Sequence, residues 1–289
     1  YKRRVLGTYV LLAETLSFLG REYESLRRAV LEDRQRRPKT IPLSFKRNES
    51  RVPDKVPFKG IRSERYQGEA SGAEVVRWTG EPVNTPIPRI YYDEPGVMAE
   101  IPAAYVIPVA WSDIVDRIAM HGIEVEQLTE PLTTVAEVYR IPDAKIAEPS
   151  AWVPNPFEGH IRIDPGEPVK QVLQITFPAG SFKISTDQPL SDLLVLMLEP
   201  QAPDSFLQWG FFLEIFTRTE YAEAYVLEPL AQKMLQQDPD LKARFEQKLA
   251  GDEDFAASQY RRLMWFYEQT PFYDQEYLLY PVARIPTGT

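Results

Sequence analysis

The 289-residue sequence contains no cysteine and only two histidines, His121 and His160. Without cysteine there are no disulfides and no thiolate metal sites, whatever the compartment. A catalytic zinc takes three protein ligands. Two histidines could hold one only if they met in space and recruited a carboxylate. Long apolar runs are missing too. Nothing approaches the roughly 18 to 20 residues that span a bilayer, and the longest candidate, residues 190–198, reads as a buried helix. The phosphate-binding pattern Gly-x-x-x-x-Gly-Lys-Ser/Thr does not occur. There is no Gly-x-Gly-x-x-Gly after a strand and no Gly-x-Ser-x-Gly nucleophile elbow. These gaps remove the common nucleotide-dependent enzymes and the serine hydrolases of the α/β type.

Charge and proline are present in quantity. Net charge is −9, but it is unevenly spread. Residues 1–68 carry 17 Lys+Arg against 8 Asp+Glu, a balance of +9, so the remainder carries −18. A basic segment can attract nucleic acid. Here Arg21, Arg27, Arg28, Arg34, Arg36, Arg37 and Lys39 lie mostly off the apolar stripe, as on a solvated helix face, and the acidic remainder repels a polyanion. No nucleic-acid partner and no membrane span are expected. The 26 prolines favour many ordered turns and strand ends. With 44% hydrophobic residues, there is enough apolar material for one large domain or two smaller ones.

The pattern opens with one long apolar stripe. Val5, Tyr9, Leu12, Leu16, Leu19, Tyr23, Leu26 and Val30 recur at alternating spacings of four and three, on one face of a single helix. So wide a face needs a partner. No N-cap signal precedes it. The chain is expected to be cut from a larger protein, with part of what the stripe packs against lying upstream. The helix should end near Arg36, before Pro38 and Pro42.

Beyond it, residues 40–45, 60–66, 74–79, 87–92, 105–109, 123–128 and 133–141 read as strands. A helix starting at Ser112 with Ile114, Val115 and Ile118 inward should stop at Gly122. Residues 169–177 and 181–185 suggest a hairpin around Pro178-Ala179-Gly180, and residues 142–160 a loop. After Asp187 the pattern turns helical. It predicts helices over 189–198, over 219–236 with a bend or interruption at Pro229, from the Asp238-Pro239 cap to Leu249, and from an Asp252 cap onward. The fold class is α+β: a long N-terminal helix over 1–38, a β-rich module over 39–186 and a helical C-terminal region over 187–289.

Each chemical candidate has a plainer explanation. His121-Gly122-Ile123-Glu124 matches His-x-x-Glu, a zinc-ligand pair, but His121 closes an amphipathic helix, where its charge suits the dipole. His160 reads as a loop residue. Ser181 falls in a turn and Ser205 in a loop. Paired carboxylates such as Asp252 and Asp254 could serve a glycosidase-type dyad, yet a helix cap with a solvated neighbour explains them. Residues 206–212, Phe-Leu-Gln-Trp-Gly-Phe-Phe, can form a binding wall; a core joint is the favoured alternative.

The order of segments resembles the C-terminal region of a group of bacterial zinc carboxypeptidases of the M14 type. The residues that carry the resemblance are Tyr1-Lys2-Arg3-Arg4-Val5-Leu6-Gly7-Thr8-Tyr9, Ala104-Tyr105-Val106-Ile107-Pro108, His121-Gly122-Ile123, Glu137-Val138-Tyr139 and Thr176-Phe177-Pro178-Ala179-Gly180. Asp187-Gln188-Pro189-Leu190, Leu198-Glu199-Pro200-Gln201, Asp204-Ser205, Trp209-Gly210-Phe211-Phe212 and Thr219-Glu220-Tyr221 extend it. It implies residues 1–38 as the terminal helix of the catalytic domain, a β-rich accessory module over 39–186, and a helical region over 187–289 packed on it. It implies a parent that hydrolyses peptide bonds with zinc, held by His-x-x-Glu and a later histidine, with a glutamate base and an arginine for the substrate's terminal carboxylate. No position here matches those residues. Catalytic and metal residues are therefore expected to be none in this chain, its cofactor none, and the parent's zinc to lie before Tyr1. The expected partners are the upstream catalytic domain and, in the parent, a peptide substrate; the expected location is periplasmic or secreted. The expected role is to shape or cover the substrate cleft. The alternatives are a non-enzymatic glycan- or protein-binding β-module and an independent hydrolase using paired carboxylates.

Overall fold

The structure, a computed structural model, describes residues 1–146, 160–218 and 223–287. The chain is an α+β protein. It divides into two compact units, Pro38–Ile101 and a larger one of Tyr1–Arg37 with Pro102–Thr289.

The larger unit begins with helices α1 (Lys2–Arg21) and α2 (Tyr23–Gln35). The expected single helix is interrupted at Glu22, which takes φ −98° and ψ 16°. Its N–H still reaches the Phe18 carbonyl, and Leu26 N–H reaches the Glu22 carbonyl, both at 2.9 Å, so the ladder bends without ending. Gly20, the weakest helix former nearby, stands just before the bend. No residue of either helix is buried. Every member of the stripe is exposed, from 38% at Leu19 to 69% at Leu16.

The centre of this unit is a six-stranded antiparallel sheet. Its order is β12 (Val169–Phe177), β9 (Leu132–Arg140), β14 (Ala283–Ile285), β7 (Ala104–Ile107), β13 (Phe182–Ser185) and β8 (Glu126–Gln127). Alternation along β9 buries Ala136 and Val138 and joins them to Val106, Phe177 and Ala283 in one core, as a pleated strand with one covered face requires. β12 and β13 fall where the sequence places strands, but they are not a hairpin. β12 pairs with β9 over nine residues and β13 with β7 and β8. The Pro178–Gly180 turn carries the chain from one edge of the sheet to the other side, with Gly180 at φ +90°.

Around the sheet lie α3 (Ser112–Met120) and α4 (Ser191–Leu198). Ser112 is the first helical residue and makes no side-chain cap; Trp111 holds the cap position. Gly122 follows at φ +83°, the left-handed stop that glycine adopts most easily.

Four more helices, α5 (Ala224–Gln237), α6 (Pro239–Gly251), α7 (Glu253–Ala257) and α8 (Gln259–Tyr267), share a second core of Leu227, Leu241, Phe245, Phe255, Leu263 and Phe266. α5 runs through Pro229 without ending there; the expected start of this helix at 219–222 lies outside the described residues. The helix expected from Asp252 is two, because Ser258 caps a fresh start by accepting from Arg261 N–H.

The smaller unit is a long ribbon on short pairings. β3 (Asp54–Gln67) and β4 (Glu74–Arg89) run antiparallel with an irregularity between Ile61 and Ser63. The three strands expected over 60–66, 74–79 and 87–92 are thus mostly one hairpin. β1 (Thr40–Pro42) pairs with β6 (Met98–Glu100), and β2 (Phe45–Lys46) with β5 (Glu94–Pro95). A further short pair, β10 (Lys145–Ile146) with β11 (Ile163–Asp164), belongs to the larger unit.

Candidate functional site

Three side-chain groupings in the larger unit could carry chemistry. The first is a buried charge network built from four separate segments. Glu199 follows α4, Tyr105 lies on β7, Glu137 and Tyr139 on β9, and Arg284 on β14. Tyr105 Oη donates to Glu199 Oε1 at 2.6 Å, and Arg284 Nη1 donates to the same oxygen. Arg284 Nε reaches Glu137 Oε2 at 3.2 Å, which also faces Lys170 Nζ at 3.1 Å. Tyr105 is fully enclosed, and Glu199 and Arg284 are each 2% exposed. Burial, and then the neighbouring Glu199 charge, push the Tyr105 and Tyr280 phenols well above their usual value; Tyr139 is shifted up for the same reasons. Burial works against the Arg284 cation, but Glu199 outweighs it and raises its pKa. Tyr105, Glu199 and Arg284 form the buried centre of this network, while Glu137 is partly exposed and Lys170 is exposed. The network's chemistry is that of a clamp: one arginine ties the strand beside the chain terminus to the end of α4.

The second grouping is aromatic and partly open. Within residues 206–212, Leu207 and Phe212 are fully buried and Phe206 nearly so, while Trp209 and Phe211 are half-buried. Phe212 packs between Trp111 and Tyr280 at 4.9 Å from each ring, and Tyr280 Oη donates to the Leu198 carbonyl at 2.8 Å. This half is core. The other half faces outward. His160 stacks on Trp209 at 3.8 Å with 16° between the planes, Trp209 Nε1 donates to Asp204 Oδ1 at 3.3 Å, and the Arg117 guanidinium sits 4.8 Å from the Phe211 ring. Gly210 makes the bend possible. It holds φ +79°, and a Cβ there would lie 2.7 Å from the Ile161 carbonyl oxygen. The segment is therefore both core joint and wall.

Each sequence candidate has a place. His121 caps α3, and its Nδ1 lies 2.8 Å from the Arg117 carbonyl oxygen. His160 Nδ1 lies 3.2 Å from the Ile161 carbonyl oxygen, the ring on Trp209. Glu124 N–H donates to Gln188 Oε1 at 2.8 Å, and Gln188 Nε2 donates back to the Glu124 carbonyl at 3.2 Å. Among the described residues no three His, Asp or Glu side chains gather as a metal site would need. Asp252 Oδ1 accepts from Phe255 N–H at 2.9 Å, a helix cap, and Asp254 faces Arg261 at 3.8 Å. Ser205 is buried and its Oγ accepts from Gln208 N–H at 3.3 Å. Ser181 is fully buried, and its Oγ has no hydrogen-bond partner among the described residues. The 142–160 loop lies mainly in residues 147–159, outside the described part.

No motif search finds the Glu199–Arg284 pair, because its members stand 85 positions apart. Tyr105, Glu137, Tyr139 and Glu199 lie in three of the stretches that carry the resemblance, and the fold gathers them around Arg284.

No family model matches the sequence, and no solved structure does. The chain is similar to Carboxypeptidase 2 of Trichophyton equinum, 29% identical over 109 residues. That covers 38% of this chain and 19% of the relative. Carboxypeptidase 2 of Trichophyton rubrum is 28% identical over 117 residues, 40% of this chain and 20% of the relative. The relatives found are carboxypeptidases. Part of this chain thus has a carboxypeptidase-related sequence, and the match spans about a fifth of the length of those relatives. The third grouping is a recess among α5 to α8, lined by Glu228, Phe245 and Arg262.

Proposed function

We propose that this chain is a non-catalytic, C-terminal portion of a zinc-dependent peptidase of the M14 carboxypeptidase type, shaping or covering the substrate cleft. The similarity to Carboxypeptidase 2 over about two-fifths of the chain carries the proposal. Zinc, the general base and the arginine for the substrate carboxylate would belong to residues outside this chain. The parent would be bacterial, and periplasmic or secreted. α1 and α2 would dock on its catalytic domain through Val5, Leu12, Leu16, Leu19 and Leu26, which the chain leaves bare. Full burial of an aliphatic side chain of that size stabilises a contact by about 1.5–3 kcal/mol, so several of them suffice for a firm joint.

A second proposal rests on the stacked His160–Trp209 pair, whose flat half-open face suits a sugar ring. On that account the chain is a glycan-binding module.

The decisive experiment uses the complete reading frame that contains this sequence, beside the chain alone. The complete product should release the C-terminal residue of an N-blocked dipeptide and lose that activity to a zinc chelator; the chain alone should do neither. One equivalent of tightly held zinc in the chain alone, with hydrolysis abolished by His121→Ala, would overturn the assignment. A complete product with no peptidase activity that binds a glycan array through Trp209 would replace it by the second account.

A further inference from the structure

The four C-terminal helices leave a recess between them that no core residue fills. Its volume is about 310 Å³, at the lower end of what small-molecule sites use. Phe245 of α6 and Leu263 and Phe266 of α8 form its apolar floor, all less than a tenth exposed. The mouth is polar and of both signs. Glu228 and Gln232 stand one turn apart on α5, and Gln232 Nε2 donates to Glu228 Oε1 at 3.0 Å, which orients the carboxylate. Arg262 of α8 also lines the recess, its guanidinium 5.7 Å from the Phe245 ring. Its neighbour Arg261 takes the nearby Asp254, and among the described residues Arg262 has no carboxylate partner. Glu228 and Arg262 line one recess without pairing with each other.

A cation and an anion that line one recess without pairing, beside buried aromatic and aliphatic side chains, complement a small zwitterion with an apolar side chain. We propose that this recess binds a free apolar α-amino acid, its side chain on Phe245 and Leu263, its carboxylate on Arg262 and its ammonium on Glu228. Charge complementarity selects the occupant. A fatty acid would give Glu228 nothing to hold, and a peptide's C-terminus would bring a neutral amide where the ammonium belongs. An arginine is the better cation for the carboxylate, since its planar fork offers two parallel donors. The proposal stands on these helices alone and does not need the carboxypeptidase assignment.

Isothermal titration of the whole chain with L-phenylalanine and L-leucine tests it, with phenylalaninamide and N-acetylphenylalanine as probes lacking one charge each. The free amino acids should saturate the protein, and each single-charge analogue should bind at least about 10-fold more weakly, which is 1.4 kcal/mol. Arg262→Gln should weaken phenylalanine by a similar factor and erase the difference between acid and amide. Glu228→Gln should erase the difference between free and acetylated forms. Both side chains are exposed, so unchanged thermal melts should accompany these losses. Saturation by no apolar amino acid up to its solubility would overturn the proposal. Equal affinity for acid and amide, or undiminished binding in Arg262→Gln, would do the same. Preference for N-acetylphenylalanine over the free amino acid would transfer the site to a peptide terminus and end the proposal as stated.

Discussion

At the residue scale, the Glu199–Arg284 contact is the most consequential. Both side chains are desolvated, and each is held by further hydrogen bonds. Removing one partner leaves a charge in the core. Arg284→Met should cost roughly 3–5 kcal/mol, whereas replacing both by apolar residues should cost far less, since a buried pair seldom outperforms packed hydrocarbon. Urea denaturation of Arg284→Met, Glu199→Leu and the double variant measures this; equal losses in all three would show that packing, not charge, is at stake. Ser181 makes the opposite case. Its buried hydroxyl finds no partner among the described residues, and an unmade hydrogen bond costs about 1–3 kcal/mol. Ser181→Ala should therefore leave stability unchanged or raise it, where an activated nucleophile would show a loss of function instead. The tyrosines predict an alkaline limit. Tyr105 and Tyr280 titrate above 10.0 in the fold, so the folded state holds their protons more tightly than the unfolded chain. That stabilisation is fully present below pH 10 and is lost as pH rises above it. Thermal melts should be flat from neutrality to about pH 10 and then fall, and Tyr105→Phe should soften the fall.

At the scale of elements, local chemistry was legible and pairing was not. Asp238 at the start of α6 was readable because a capping aspartate followed by proline has a local cause. Its Oδ1 accepts from Asp240 and Leu241 N–H at 3.0 and 2.9 Å. Asp238→Ala should cost about 1 kcal/mol by the same denaturation assay. Strand extents such as β12 were close for the same reason, since alternation is local. Its partner was not, because nothing in residues 169–185 says that β9, not the adjacent β13, completes its ladder. β14, three residues between β9 and β7, is too short to announce itself. The aromatic segment was half legible: composition gave a wall or a joint, and only the fold assigns Phe212 to one and Trp209 to the other. The β3–β4 ribbon exposes the limit differently. The buried hydrophobics of its unit are Ile41, Leu43 and Ala99, and a two-stranded ribbon is marginal alone. Its base is fastened by Arg51 and Arg89 around Tyr91, with Asp93 and Asp54 as their anions. Limited trypsin digestion should cut first at Arg62, Arg65 or Arg77, well before Arg140 or Arg284; first cuts within the six-stranded sheet would contradict this.

At the scale of the whole molecule, the unanswered quantity is the apolar face of α1 and α2. The four-three spacing continues through the bend at Glu22, so Leu12 and Leu19 before it and Leu26 after it stay on one stripe. Leu6, Leu11 and Phe18 of α1 are exposed too, on other sides of the helix. Patches of this extent on a lone chain seek cover. In the proposed parent the cover is the catalytic domain; for the chain alone the available surface is another copy. Light scattering during gel filtration should therefore find the isolated chain associated at micromolar concentration. Leu12→Glu with Leu19→Glu should release monomers and leave the thermal melt within about 0.5 kcal/mol of the original, because exposed positions contribute little to the fold. The same double change in the complete reading frame should instead destabilise the product, since in the proposed parent that face would be buried. A parent indifferent to both glutamates would mean that α1 and α2 face water in every context. The docking role would then fall, although the sheet, its arginine clamp and the C-terminal helices would be untouched by that result.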